Sequence, residues 1–245
     1  DELLVRLRMA ESRNVAQRLI LAGQVHDDGQ VVVDKPSRIF SQDSILHVKK
    51  LQKYVSRGGE KLEGFFIRFP FDILSKSAID IGASTGGFSD YLLQNGIHSV
   101  VCVDVGHGQL HYKLRCDKRI VNLEGINARH LRAVDLPQAD YDIMVMDLSF
   151  ISLEKILPNV WPLLRENGLL VALIKPQFEA AKREADRGRG IIGDPYIHRR
   201  VCEKIRNYSL KNIPNCIVFG ECPSPIRGSD GNCEFFLGLQ RLSGS

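Results

Sequence analysis

From Ser77 onward, short apolar runs alternate with amphipathic stretches, and this alternation limits the possible folds more than any other feature of the chain. The runs Ala78–Ile81, Val100–Val103, Ile120–Leu123, Ile143–Met146 and Leu169–Ile174 carry few polar residues. Strands buried on both faces of a parallel sheet read this way. Each is followed by a helical stretch, so five β-then-α units predict a doubly wound α/β domain. Two more runs, Cys216–Phe219 and Glu234–Leu239, are joined by "GECPSPIRGSDGN", which has turn residues and no helical pattern. They are expected to pair as an antiparallel hairpin at the sheet edge. The expected sheet is Rossmann-like and seven-stranded, mostly parallel, with its last strand antiparallel.

Ligands of such sheets sit beyond the carboxyl ends of the strands. "DIGASTGGF" is the first such end. It lacks the phosphate-loop lysine, and its glycines, Gly82, Gly86 and Gly87, miss the dinucleotide spacing. A pyrophosphate favours a loop without carboxylates, yet Asp80 stands just before Gly82. A carboxylate there suits a cationic, amine-bearing ligand, and S-adenosylmethionine carries both a sulfonium and an α-amino group. "VCVDVG" closes the second strand with Asp104, which can accept from both hydroxyls of a ribose. An acid at a strand end serves alone as a helix cap equally well. The loop, the second acid and the antiparallel closing strand together favour S-adenosylmethionine. The expected cofactor residues are Asp80, Gly82, Ala83, Ser84, Gly86, Gly87, Phe88, Asp104, Val105 and Asp147. Asn127 of "GINARHL" either reads the adenine edge or makes an Asx turn.

Composition excludes several classes. With 44% hydrophobic and 25% charged residues over 245 positions, the chain can bury a real core. A net charge of +4 permits a polyanionic partner without requiring one. None of the six cysteines forms a C-x-x-C pair, so reduced thiols and no metal are expected. No run reaches the ~18 consecutive apolar residues of a membrane helix, and no charged-then-apolar leader opens the chain. The expectation is a cytoplasmic monomer without membrane association.

The first fifty residues read differently. Ser12 is placed to cap a helix with apolar positions Val15, Ala16, Leu19 and Ile20, and Gly23 to stop it. Asp28-Gly29 lies between β-branched runs, a hairpin signal that assigns Asp28 the positive-φ turn position. The stretch "ESRNVAQRLILAGQVHDDGQVVVDKPSRIF" resembles the small S-four RNA-binding domain, which implies RNA contact through Arg13, Arg18 and Lys35. A basic bridge follows, with Lys49, Lys50, Lys53 and Arg57, before Gly58-Gly59 interrupt regular structure and a helix starts near Glu60. The expected domains are 1–48 and 59–245, joined by a linker over 49–58, with Arg57 a further RNA contact.

The motifs "YVSRGGEKLE", "DIGASTGGFSD", "VDVGHGQL", "NAR", "MDLSFISL", "LIKPQFE" and "GNCEFFL" follow one another along the chain. Together with the first domain they resemble the TlyA (hemolysin A) family, which joins an S-four domain to an FtsJ-like methyltransferase domain. The resemblance implies methyl transfer from S-adenosylmethionine to a ribose 2′-hydroxyl of ribosomal RNA, with ribosomal RNA or ribosomal subunits as partners. It also implies a Lys-Asp-Lys-Glu catalytic set, met here by Lys61, Asp147, Lys175 and Glu234. Physically, a ribose hydroxyl is a poor nucleophile, and Lys175 can either take its proton or stabilise the oxyanion as attack proceeds. The charged stretch after Lys175 is expected to form a mobile lid meeting RNA phosphates through Lys182, Arg183, Arg187 and Arg189. The competing expectations are a pore-forming hemolysin and a catalytically inactive RNA-binding factor.

Overall fold

The computed structural model describes residues 1–41, 43–48 and 53–244. The chain divides into two compact units, Asp1–Gln52 and Lys53–Ser245. Lys49 and Lys50 of the basic bridge lie outside the described residues.

In the first unit, α1 (Glu2–Arg6) and α2 (Arg13–Leu21) pack beside β1 (Val25–Asp27) and β2 (Leu46–Val48). Ser12 caps α2 by accepting from the Val15 N–H, and Gly23 follows it at φ +67°. Leu4, Ala16, Ile20, Val25, Val33 and Leu46 form its core. The expected hairpin forms, but it is short. His26 and Val32 bridge across the turn, with the Asp27 N–H donating to the Val31 carbonyl at 3.0 Å and the Val33 N–H to the Val25 carbonyl at 2.7 Å. The ladder partner of β1 is β2, antiparallel, with Val25 opposite Val48. Val31 and Val32 stay exposed, and Pro36, with no N–H to donate, leaves the sheet direction soon after. The turn chemistry differs too. The positive φ falls on Gln30 at +60° and not on Asp28, while Asp27 accepts the Val31 N–H through its side chain.

The second unit opens with α3 (Gly58–Arg68), followed by β3 (Ser77–Ile81), α4 (Gly87–Gln94), β4 (Ser99–Val103), α5 (Tyr112–Arg115) and β5 (Ile120–Leu123). Next come β6 (Tyr141–Met146), α6 (Leu157–Val160), β7 (Leu164–Ile174), α7 (Pro176–Glu179) and α8 (Lys182–Arg187). The chain ends with α9 (Pro195–Asn212), β8 (Cys216–Pro223) and β9 (Phe235–Arg241). The seven strands are ordered β5-β4-β3-β6-β7-β9-β8. Neighbours are parallel from β5 to β7, and β9 runs antiparallel to both β7 and β8. Ile79, Ile81, Met144 and Met146 pack on one face with Leu157 and Val160 of α6 and Val201 and Ile205 of α9. Ala78, Ile143 and Val145 pack on the other with Leu62 and Phe65 of α3 and Phe88 and Leu92 of α4. Strand order reverses at β3, so the carboxyl ends of β3 and β6 flank the switch point where such sheets take ligands.

β7 starts earlier than its apolar run suggests. Arg165 is accommodated at its exposed end by Asp140 at 2.6 Å and Asp142 at 3.0 Å.

Residues 53–57, expected as linker, belong to this unit. Tyr54 is buried, and Val55 donates its N–H to the buried Asp90 at 2.8 Å. Gly58 and Gly59 are the first turn of α3 and not an interruption before it. A Cβ at Gly59 would lie 2.2 Å from the Tyr54 ring, so the aromatic packs directly on backbone. Gly59→Ala should therefore lower stability by about 1–3 kcal/mol through overpacking. Urea unfolding would show this as a lower midpoint with an unchanged slope.

Candidate active site

The loop between β3 and α4 starts with Gly82 at φ +81°. A Cβ there would sit 2.8 Å from the Asp147 carbonyl oxygen, so glycine lets the loop close onto the end of β6. Ala83 is buried, Ser84 is exposed at φ +48°, and Gly86 and Gly87 turn the chain into α4. Phe88 borders the cleft but belongs to the core, with its ring 6.2 Å from that of Phe236.

Two acids face this loop from below and beside it. Asp80 is buried, and one of its oxygens accepts from the Ser89 N–H at 3.1 Å and the Ser89 hydroxyl at 2.7 Å. Its other oxygen, Oδ1, has no partner. Burial pushes the Asp80 carboxyl up to about 7, against the pull of Ser89. Asp104 accepts from the Ser84 N–H at 2.8 Å and the Gly106 N–H at 2.7 Å, which fixes its carboxylate at the cleft wall. Val105 is exposed next to it. Asn127 lies past β5, and its side chain accepts from the Arg129 N–H at 3.0 Å, so the Asx-turn alternative describes its bonding.

At the ends of β6, β7 and β9 and on α3, four charges meet. Lys61 is buried, with Nζ 2.6 Å from Glu234 Oε2 and 3.8 Å from Asp147 Oδ2. Asp147 Oδ1 is 2.5 Å from Lys175 Nζ, which also donates to the Ser149 hydroxyl at 3.0 Å. The order Glu234–Lys61–Asp147–Lys175 is a line of alternating charge, with the inner pair 3% and 9% exposed and the outer pair 23% and 12%. Glu234 lies one residue before β9 begins.

Of these four, Asp147 and Lys175 reach two adjoining cavities that share Gly82, Ser84, Asp147 and Ser149. The smaller, about 180 Å³, holds Asp80, Lys175 and Ser56. The larger, about 540 Å³, holds Asp104, Val105, Asn127 and Phe150. An elongated ligand with a cationic end and a ribose fits this pair chemically. The unpartnered Asp80 oxygen is a carboxylate acceptor that could answer a cation, and the fixed Asp104 carboxylate one that could answer hydroxyls.

Phe150 escaped the sequence reading. It is 90% exposed, it adopts φ +63°, and its ring lies 4.9 Å from that of Phe178. A bulky aromatic at positive φ is a genuine outlier. Its only trace in the sequence is its place in "MDLSF", three positions after Asp147. Ser56 and Ser149 were likewise not foreseen.

The expected RNA contacts fall into separate groups. Arg13 is paired with Asp1 at 3.3 Å and Glu2 at 2.9 Å, whereas Arg18 and Lys35 are exposed. Arg57 is exposed at the entry to α3, and Lys182, Arg183, Arg187 and Arg189 are exposed on and just after α8. The α8 region is anchored. Arg200 pairs with Glu184 at 2.5 Å. The buried Asn232 accepts from the Ile192 N–H and donates to the Gly190 carbonyl, each at 2.9 Å.

Residues 54–241 match the family model for FtsJ-like methyltransferases, and residues 1–42 match that for the S4 domain. Hemolysin A of Brachyspira hyodysenteriae is 43% identical over 92% of this chain and 92% of its own length. The 16S/23S rRNA (cytidine-2'-O)-methyltransferase TlyA of Mycobacterium tuberculosis is 39% identical over 98% of this chain and 88% of its own. A solved candidate hemolysin from Streptococcus thermophilus is 38% identical, covers 99% of this chain and 87% of its own, and superposes with a TM-score of 0.73.

The buried pair makes its own prediction. Glu234→Ala leaves the buried Lys61 ammonium with only Asp147, 3.8 Å away, and should cost about 3 kcal/mol. Replacing both partners by apolar residues of similar size, Lys61→Met with Glu234→Leu, should cost far less. Urea unfolding of the single and double variants separates these outcomes.

Proposed function

This chain belongs to the TlyA family of FtsJ-like methyltransferases that carry an N-terminal S4 domain, and from that premise we propose that it methylates a ribose 2′-hydroxyl of a cytidine in ribosomal RNA, using S-adenosylmethionine. The observation that carries this reading is the line of four charges ending at Lys175 beside the paired cavities. The cytidine is taken from the name of the Mycobacterium tuberculosis relative.

S-adenosylmethionine, when bound, supplies a methyl group already activated by its sulfonium. The chain's own residues hold and align the reactants. Asp80 and the loop after β3 would hold the cationic end, and Asp104 the ribose. Lys175 Nζ has three donors, of which Asp147 and Ser149 engage two. The third is free to meet the acceptor hydroxyl and to stabilise the negative charge that develops on its oxygen. The hydroxyl proton leaves to water at the open side of the cleft. Lys61, held by Glu234, supports Asp147 from behind. Phe150 offers an exposed ring at the mouth of the same cleft, suited to stack on an unstacked base. Arg18, Lys35, Arg57 and the cations on and after α8 are proposed to meet phosphates, adding affinity and position rather than sequence reading. Among the described residues no helix is long and apolar enough to cross a membrane, so the pore-forming alternative gains nothing from the helices.

Radiolabelled methyl should pass from S-adenosylmethionine to purified ribosomal subunits and be recovered on a ribose after digestion. Lys175→Ala should reduce transfer by about 10²–10⁴-fold. Cofactor binding without transfer to either subunit, or label on a base, would overturn the proposal.

Asp80 adds a pH signature. Its carboxyl titrates at about 7 in the folded chain against an ordinary value of 3.8. Without ligand, the native state keeps a proton that the unfolded chain has already lost. The stabilising contribution of that proton is complete below about 4 and disappears as pH rises through about 7. A cationic ligand prefers the carboxylate, so affinity for S-adenosylmethionine should rise through the same window. Below about 7 it should fall by up to about tenfold per pH unit. Calorimetry on Asp80→Asn should show weaker binding at pH 8 and loss of this dependence.

A further inference from the structure

Glu179 is a buried carboxylate one helical turn from Lys175 that takes no part in the line of four charges. It ends α7, at whose N-cap position Lys175 stands. Oε2 accepts from the Ser152 hydroxyl at 2.6 Å and Oε1 from the Leu153 N–H at 2.7 Å. Both donors belong to the segment that leaves Asp147 and passes through Phe150. Lys204 of α9 stands behind the carboxylate, 3.9 Å from Oε2 and 2.9 Å from Glu154. Burial pushes the Glu179 carboxyl above its ordinary range, which the two hydrogen bonds only partly offset.

We infer that Glu179 is a positioning residue for methyl transfer: it fastens the segment carrying Phe150 to the turn carrying Lys175. Phe150 holds a backbone conformation that an aromatic residue rarely adopts, and such strain persists only where the surroundings over-determine it. Two restraints act on that turn. Phe178 packs on the Phe150 ring, and Glu179, the next residue along α7, takes the hydroxyl and the amide that follow the turn. One short helix thus presents Lys175 at its start and fixes the exposed ring from its end. Without the carboxylate the turn relaxes and the ring leaves its place at the cleft mouth. This role rests on the methyl-transfer reading above.

The test compares Glu179→Ala with Glu179→Gln in the full chain. Glutamine can keep both bonds, with Oε1 accepting from Leu153 and Nε2 donating to the Ser152 hydroxyl. Methyl transfer to purified ribosomal subunits should fall about 10–100-fold in Glu179→Ala. It should recover to within about threefold of wild type in Glu179→Gln, while S-adenosylmethionine affinity measured by calorimetry changes less than about twofold in either. In a Phe150→Ala background, Glu179→Ala should add little further loss, because the two act as one unit. Transfer by Glu179→Ala at the wild-type rate, or a loss that multiplies undiminished with Phe150→Ala, would overturn the inference. Hydrogen exchange of the 148–154 amides decides it independently of activity. Exchange should be at least about tenfold faster in Glu179→Ala and unchanged in Glu179→Gln, and equal protection in all three proteins would contradict it. If Glu179→Ala does not fold, Ser152→Ala removes one bond without touching the carboxylate and should show a smaller change of the same kind. Failure of wild type to transfer methyl would count against the methyl-transfer reading, with hydrogen exchange still deciding whether Glu179 holds the turn.

Discussion

The second unit is organised around one costly interaction, the burial of the Lys61 ammonium against Glu234 and Asp147. An unpaired ammonium in the interior would cost several kcal/mol, so the fold must deliver two carboxylates to the same point. It does so from three directions. Lys61 comes from α3, Asp147 from the end of β6, and Glu234 from the entry to β9. β9 runs antiparallel between β7 and β8, which brings the start of that strand to the carboxyl ends of its parallel neighbours. A parallel last strand would have left Glu234 at the opposite edge of the sheet.

Close backbone packing makes this convergence possible. The Tyr54 ring lies on Gly59, and Pro225 lies where a Cβ on Gly64 would be, 2.6 Å from its ring carbon. α3 is thereby pressed between the segment that precedes it and the loop that leads to Glu234. Phe65 at its centre touches Phe219 and Phe236 of the closing hairpin. The helix carrying Lys61 and the strands that follow Glu234 share one aromatic core, and the ion pair inherits its rigidity.

Much of the sheet was legible in the sequence because buried parallel strands are nearly pure apolar runs, and 78–81 or 143–146 could be little else. The partner of β1 was not. It comes from Leu46–Val48, too short a stretch for any period to register, and the nearby Asp-Gly signal drew attention to a turn that forms with hardly any ladder. At the site, the residue types of Lys61, Asp147, Lys175 and Glu234 could be nominated from the motif order. Their contact is a property of three dimensions. Phe150 and Glu179 were invisible for a different reason. An aromatic in a loop and a glutamate on a charged stretch read as ordinary surface residues. Only the positive φ of one and the burial of the other set them apart.

Lys61 serves the proposed reaction only through Asp147 and Lys175. A double-mutant cycle on the methyl-transfer rate tests it most directly, using Lys61→Met, Lys175→Ala and the double variant at saturating S-adenosylmethionine. If the charges work as one unit, the double variant should be within about twofold of Lys175→Ala alone. Losses that multiply, with each lysine costing its full factor in the absence of the other, would contradict it.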